Sequence, residues 1–261
     1  MNGRGAAISL RIAQAIPVVI GVIVISFLLT RALPGDPAVQ FAGAAATPES
    51  IEQVRQSLGL DKPLPEQFII YVGQLLQGDL GQSVSTGRPG IQELAARLPA
   101  SLELTLVALI LSCAIAIPLG ILAATRPGSW VDQLCRLLVT AGVSLPTFFT
   151  GLVLIYVFYY LLGIAPSPLG RLDFIYLDPP HVTGFFLIDS LLDGDPATFM
   201  GALRQLILPA ATLALFTLAP IARMTRAAML SALGADYIRT ARAAGLNRGK
   251  ILYGYAFRNA L

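Results

Sequence analysis

The chain has 261 residues, 55% of them hydrophobic and only 13% charged, with a formal net charge of +3. An ordinary soluble domain carries about 25% charge, so there are too few charges here to cover a water-facing surface. Disorder is excluded as well, because it requires low hydrophobicity and high net charge. A mean hydropathy of +0.71 points to an all-α polytopic membrane protein. Cys113 and Cys135 fall in or beside apolar stretches, form no CxxC pair and set up no disulfide framework. His181 has no second histidine to share a metal with.

Spanning a hydrocarbon core takes about 20 apolar residues. Four windows are free of charge for roughly that length: residues 12–30, 104–125, 137–170 and 205–222, the third turning polar after residue 163. Each is expected to be helical, because backbone groups in lipid must pair within their own segment. Pro17, Pro118, Pro146, Pro209 and Pro220 sit inside them; neighbouring helices can re-satisfy the carbonyls they free. The first window, with Arg4 and Arg11 ahead of it, has the polarity of a signal peptide. Its apolar run is long for that role and no small-x-small cleavage site follows, so it reads as a retained span.

These windows divide the chain into a cytoplasmic N-terminus (1–11), a first span (12–33), an extracytoplasmic helical segment (34–100) and a second span (101–125). A cytoplasmic loop (126–136), a third span (137–163), an extracytoplasmic loop (164–203), a fourth span (204–229) and a cytoplasmic segment (230–261) follow. Lysine and arginine set the orientation. With the N-terminus cytoplasmic, the inner segments hold 11 basic residues and two acids, Asp132 and Asp236; the outer ones hold seven basic residues and 13 acids. The basic balance therefore reports topology, and nucleic acid is not implied.

In the outer segment, Thr47-Pro48-Glu49 opens a helix with a capping residue, a first-turn proline and an acid. Ile51, Val54 and Leu58 share one face and Gly59 stops it. Leu60 to Pro65 is expected to run extended. A second amphipathic helix covers Glu66 to Gln77, with Phe68, Tyr71, Val72 and Leu75 on one side. A turn at Gly78-Asp79-Leu80-Gly81 leads to a third short helix, Pro89 to Leu98. The second outer loop is rich in Pro, Gly and Asp. Asp173, Asp178, Asp189, Asp193 and Asp195 lack the D-x-D-x-D-G spacing of a calcium loop, so it reads as a solvated loop.

After the fourth span the periodicity changes. Asp236 to Gly245 forms a short helix rich in small residues that ends at a glycine, and Leu246-Asn247-Arg248-Gly249-Lys250 turns the chain. Small residues on one face would let another protein approach closely. The composition leaves equally open a plain loop whose arginines serve topology alone. Gly245 to Lys250 is one residue short of a P-loop, and Ile251 stands where Ser or Thr is needed, so the chain is expected to bind and hydrolyse no nucleotide.

Asp236-Tyr237-Ile238-Arg239-Thr240-Ala241-Arg242-Ala243-Ala244-Gly245-Leu246 resembles the coupling motif, E-A-A-x-x-x-G, of ABC importer permeases, above all those of the dipeptide/oligopeptide/nickel branch. Arg239, Thr240, Ala241 and Gly245 occupy its places; the glutamate and first alanine are missing. Leu33-Pro34-Gly35-Asp36-Pro37, Leu58 to Leu64, Gly78 to Ser83, Arg97 to Leu104, Ile117-Pro118-Leu119-Gly120 and Ser144-Leu145-Pro146 resemble other stretches of that family. Members continue with two more spans, so the resemblance implies an ABC importer permease fold with four of six transmembrane helices present, as in a C-terminally truncated chain.

The resemblance further implies a non-catalytic subunit that moves peptides or a related small solute such as nickel. Its implied partners are a second permease subunit, two ABC ATPase subunits, an extracytoplasmic solute-binding protein and the lipid bilayer. ATP with magnesium would be held on the ATPase subunits, with no cofactor or metal on this chain. The residues implied to couple it to an ATPase are Asp236, Tyr237, Arg239, Thr240, Ala241, Arg242, Ala244, Gly245 and Leu246, with Ala241 and Gly245 against the ATPase. A secondary transporter or channel would instead need ionisable groups at mid-membrane, and none of the four windows contains one. An intramembrane enzyme would need a nucleophile with a base, which Ser112, Cys113 and Ser144 lack in sequence.

Overall fold

The computed structural model of the chain describes residues 3–32, 36–42, 46–57, 59–83 and 86–260. Leu33 to Gly35, Leu58 and Leu261, named above, lie outside them. Among the described residues the fold is helical, with one isolated bridge between Gln82 and Pro89. The helices are α1 (Gly3–Ala32), α2 (Pro37–Ala42), α3 (Pro48–Ser57), α4 (Leu64–Leu76), α5 (Gly90–Thr125), α6 (Trp130–Ser144), α7 (Thr147–Leu154), α8 (Phe186–Leu192), α9 (Pro196–Gly234), α10 (Asp236–Ala243) and α11 (Arg258–Ala260). Ile155–Leu161, continuing α7, and Lys250–Phe257 are wound as π-helices. The chain divides into two compact units, residues 1–96 and 97–261.

In the first unit, α4 docks on α1 through aromatic rings. Phe27 is buried and meets Phe68 edge-on at 5.2 Å and Tyr71 at 5.7 Å. Beside them Arg31 donates to Gln67 Oε1 at 2.8 Å, while Gln67 Nε2 donates to the Lys62 carbonyl at 2.7 Å. Gly59, at φ +64°, ends α3 in the left-handed region where glycine is at ease. The expected extended run from Leu60 to Pro65 is instead a turn, and Leu64 and Pro65 already belong to α4. Proline is well accommodated in a first helical turn, whose N–H groups have no helical partner. The expected short helix Pro89 to Leu98 has no separate existence: α5 runs unbroken from Gly90 to Thr125 with Pro99 inside it.

In the second unit α5, α6 and α9 pack through small residues. Ala108, Ala116, Ala123 and Ala124 of α5 and Ala210, Ala214, Ala219 and Ala222 of α9 are buried. Without water to drive association in a bilayer, close backbone approach of this kind is what holds helices together. A Cβ on Gly120 would stand 2.8 Å from Thr225 Cβ and 2.9 Å from the Ala222 carbonyl. The 39 residues of α9 make a rod roughly 58 Å long at 1.5 Å per residue, far longer than the hydrocarbon core.

Among the described residues three helices are long and apolar enough to cross a membrane: α1, α5 and α9. The third window is not one helix. α6 and α7 are bent 109° from each other at a short break, so the fourth crossing exists only where this pair counts as one span. Leu145 is extended (φ −99°, ψ 131°) and Pro146 caps α7. The expectation that Pro146 is absorbed inside a helix is corrected here: it has no N–H to continue α6, and its ring drives the preceding residue out of the helical region. Residues 130–136, expected to be loop, form the first two turns of α6.

Candidate coupling site

Residues 236–246 form α10 and its stop. The end is a Schellman motif: the Leu246 N–H donates to the Ala241 carbonyl at 3.2 Å and the Gly245 N–H to the Arg242 carbonyl at 3.0 Å. Gly245 sits at φ +73°, where a Cβ is strained whatever the space around it. Leu246 folds back half-buried onto the core under the helix.

The eight residues of α10 divide into two faces. Ile238 and Ala241 are buried, against Ile121 and Ala124 of α5, Met229 and Ala232 of α9, and Ile251 and Ala256 of the following π-helix. Asp236, Tyr237, Arg239, Thr240 and Arg242 are exposed, as are Ala243, Ala244 and Gly245 beyond them. The expectation that Ala241 lies against another protein is therefore corrected: its methyl seats α10 on this chain's own helices. The outward face carries the Tyr237 ring, the Arg242 guanidinium, an Arg239–Asp236 pair at 3.4 Å and, at its end, small residues.

Asn247 Oδ1 accepts from the Gly249 N–H at 2.8 Å, and the Asn247 carbonyl accepts from Ile251. The segment 245–250 is thus a helix stop followed by a self-capped helix start. The Gly249 N–H that a phosphate cradle would use is already bonded.

Two charge centres were not legible in the sequence. Asp132, in the first turn of α6, is buried. It accepts from Arg226 of α9 at 2.5 and 3.1 Å, from Arg136 at 3.0 Å and from the Gly128 N–H at 3.0 Å. Ser129 caps α6 by accepting from the Asp132 N–H. The Ser-x-x-Asp spacing is a sequence signal for the cap alone; nothing local marks Arg226 as its partner.

Glu103 of α5 forms the second centre. It is buried, pairs with Arg171 at 2.6 Å and accepts from the Leu187 N–H at 2.8 Å. Arg171 also donates to the Gly184 carbonyl at 3.0 Å and lies 3.7 Å above the Phe186 ring.

The loop after α7 is more ordered than a merely solvated segment. Asp189 is buried and accepts from the Thr183 N–H and hydroxyl and from the Gly184 N–H, at 2.7–2.8 Å. Burial raises its carboxyl, but these donors together outweigh it and hold the group below the usual carboxylate range. Asp195 caps α9, accepting from Ala197 and Thr198, and is also held low, first by the Thr198 hydroxyl. Both aspartates therefore organise turns. His181 is exposed.

These features define a membrane protein whose longest helix leads directly into a short, externally presented helix. Residues 116–261 match the family described as binding-protein-dependent transport system inner membrane component, and residues 7–105 match its N-terminal companion. The chain belongs to this family of transport permeases. It is 51% identical over 245 residues to the probable D,D-dipeptide transport system permease protein DdpB of Escherichia coli K12, covering 94% of this chain and 72% of that protein. It is 43% identical to the di/tripeptide transport system permease protein DppB of Pseudomonas aeruginosa UCBPP-PA14, over 97% of this chain and 75% of that one. With the dipeptide transport system permease protein DppB of E. coli K12 it shares 40% identity, over 96% and 75%.

Proposed function

We propose that this permease is one wall of an ATP-driven peptide importer in a bacterial cytoplasmic membrane, with its N-terminus on the cytoplasmic side. A second permease subunit completes the path. Two ABC ATPase subunits dock beneath, and an extracytoplasmic binding protein delivers peptide to the end bearing loop 164–203. ATP and magnesium are held by the ATPases; this chain contributes no catalytic group.

The observation that carries this reading is the two-faced α10. Its outward face, with Tyr237, Arg239 and Arg242, is free for a partner. Its inner face is locked by Ile238 and Ala241 onto α5 and α9. A push on α10 must therefore move α9, whose other end begins at Asp195 in the outer loop. Cores of this kind rearrange between discrete packings more readily than they deform. ATPase closure would tilt α9 as a rod and open the path at the opposite end.

The test is co-expression with the neighbouring permease, ATPase and binding-protein subunits, followed by uptake of labelled Leu-Leu into vesicles loaded with ATP. ATP-dependent, binding-protein-dependent uptake is the expected result. Uptake that persists without ATP or without the ATPase would overturn the reading in favour of a secondary transporter.

A further inference from the structure

A cavity of about 440 Å³ opens where α5, α7 and α9 meet the start of the outer loop. Leu104, Phe148, Ile155 and Leu213 make it apolar, with Thr147, Gln205 and Thr212 as polar members. Its size falls in the range of about 300–1,000 Å³ usual for small-ligand sites. Thr212 is satisfied by its own helix, donating to the Leu208 carbonyl at 2.9 Å. Gln205 is not. Its side chain is 7% exposed, and its Nε2 is buried with no hydrogen-bond partner among the described residues.

An unpartnered buried amide costs free energy, and an apolar residue would avoid that cost. The same residue carries a second opening. In a helix the carbonyl of residue 205 pairs with the N–H of residue 209, and residue 209 is proline, which has none. Gln205 thus places a side-chain donor and a main-chain acceptor without its regular partner on one residue beside an apolar chamber. A peptide group offers the complement, one carbonyl acceptor and one N–H donor. No charged side chain lines the cavity, so the peptide group and an apolar side chain suit it, while the charged termini of a peptide belong at its open mouth, in contact with water.

We infer that this cavity is a transit subsite for short peptides, in which Gln205 grips a neutral peptide group while an apolar side chain fills the chamber of Leu104, Phe148, Ile155 and Leu213. The inference rests on the peptide-import reading above. It makes the permease itself, and not only a delivering protein, a contributor to solute preference.

The experiment uses the assembled importer with its binding protein in vesicles. Labelled Leu-Leu, its ester analogue and Gly-Gly are the probes. Gln205→Met keeps the length of the side chain but removes its donor. It should lower uptake of Leu-Leu, of its ester and of Gly-Gly about fivefold each, the order expected for one lost hydrogen bond, because all three keep the carbonyl that the side-chain donor meets. The ester, which lacks the N–H that meets the main-chain carbonyl of residue 205, should already be taken up less well than Leu-Leu by the wild type. Ile155→Trp fills the chamber and should cut Leu-Leu uptake while sparing Gly-Gly. Ester uptake equal to Leu-Leu uptake in the wild type, or equal losses for Leu-Leu and Gly-Gly in the Ile155→Trp variant, would indicate a merely structural role and overturn the subsite, as would wild-type uptake in both variants. In each of these outcomes the wild-type complex still imports peptide and the import reading stands. A wild-type complex that imports neither Leu-Leu nor Gly-Gly would overturn both.

Discussion

Asp132 and Arg226 lie 94 positions apart in the chain and meet at 2.5 Å, tying the first turn of α6 to the last third of α9. The carboxylate is 1% exposed and the guanidinium 22%. Removing one partner of such a pair leaves the other charge poorly solvated, which is more damaging than the pair itself is stabilising. Asp132→Ala should therefore cost about 2–3 kcal/mol, below the fully buried range because Arg226 keeps some contact with water. Arg136→Ala, at the exposed end of the same cluster, should cost less than about 0.5 kcal/mol. Thermal unfolding of the detergent-solubilised complex compares the two directly; equal losses would contradict this ranking.

The helix contacts make a second prediction, in which two glycines differ in sign. A Cβ at Gly120 would collide with Thr225 and the Ala222 carbonyl, and neither α5 nor α9 can yield without parting. Gly120→Ala should cost about 1–3 kcal/mol as overpacking. At Gly234 nothing lies within 4 Å of the added atom, and its φ is not positive. There alanine should be neutral or stabilise by about 0.4–1 kcal/mol through the unfolded chain. Paired melting curves of the two variants check it.

Much of this architecture is legible in the sequence. The charge-free windows locate α1, α5 and α9 because hydrocarbon accepts little else. Gly59 and Gly245 mark the ends of α3 and α10, where a left-handed residue is needed. The 109° break is only half legible: Pro146 is visible, but whether neighbours absorb a proline inside a helix is decided by tertiary packing. Glu103 with Arg171 and Asp132 with Arg226 are invisible because their partners are distant in sequence. The face of α10 that turns inward is hidden for another reason. With Ala241, Ala243, Ala244 and Gly245 on one short segment, small side chains lie all round the helix, and only the apolar Ile238 hints at the buried side.

The outer loop should weaken in acid. Asp189 is held below its ordinary value by the donors of Thr183 and Gly184, against the opposing effect of burial. A carboxylate whose folded pKa is depressed stabilises the fold above its unfolded value, near 3.9, and loses that contribution as pH falls through the lower folded one. Hydrogen exchange across residues 181–195 should therefore be flat from pH 7 to about 5 and accelerate, after correction for intrinsic rates, below about pH 4. Asp189→Asn should exchange faster at neutral pH and lose that acid dependence. An unchanged profile in the variant would remove Asp189 from this role.

Topology can be read with cysteines. After Cys113 and Cys135 are replaced by alanine, single cysteines at Asp79 and Phe174 should react from outside intact cells with an impermeant thiol reagent. One at Arg126 should not. All three positions are exposed on the protein, so accessibility is decided by the membrane and not by burial. The motive is the 11 basic residues against two acids on the side assigned to the cytoplasm. Outside labelling at Arg126 would invert the assignment.

The sharpest prediction separates docking from seating on α10. Tyr237 and Arg242 are exposed and belong to no core, so their loss should leave the fold within about 0.5 kcal/mol of wild type. If they meet an ATPase, Tyr237→Ala with Arg242→Glu should abolish co-purification of that subunit and ATP-driven uptake while the melting temperature of the permease stays unchanged. Ala241→Trp acts on the other face. It forces an indole among Ile121, Met229 and Ile251 and should cost about 1–3 kcal/mol as overpacking. Gly245→Val places a branched side chain at φ +73° and should cost about 1–2 kcal/mol through backbone strain alone. The two inner changes should therefore lower stability and coupling together, whereas the outer pair lowers coupling alone. Retained ATPase and full uptake in the Tyr237/Arg242 double variant would mean that this face is a topology loop and nothing more.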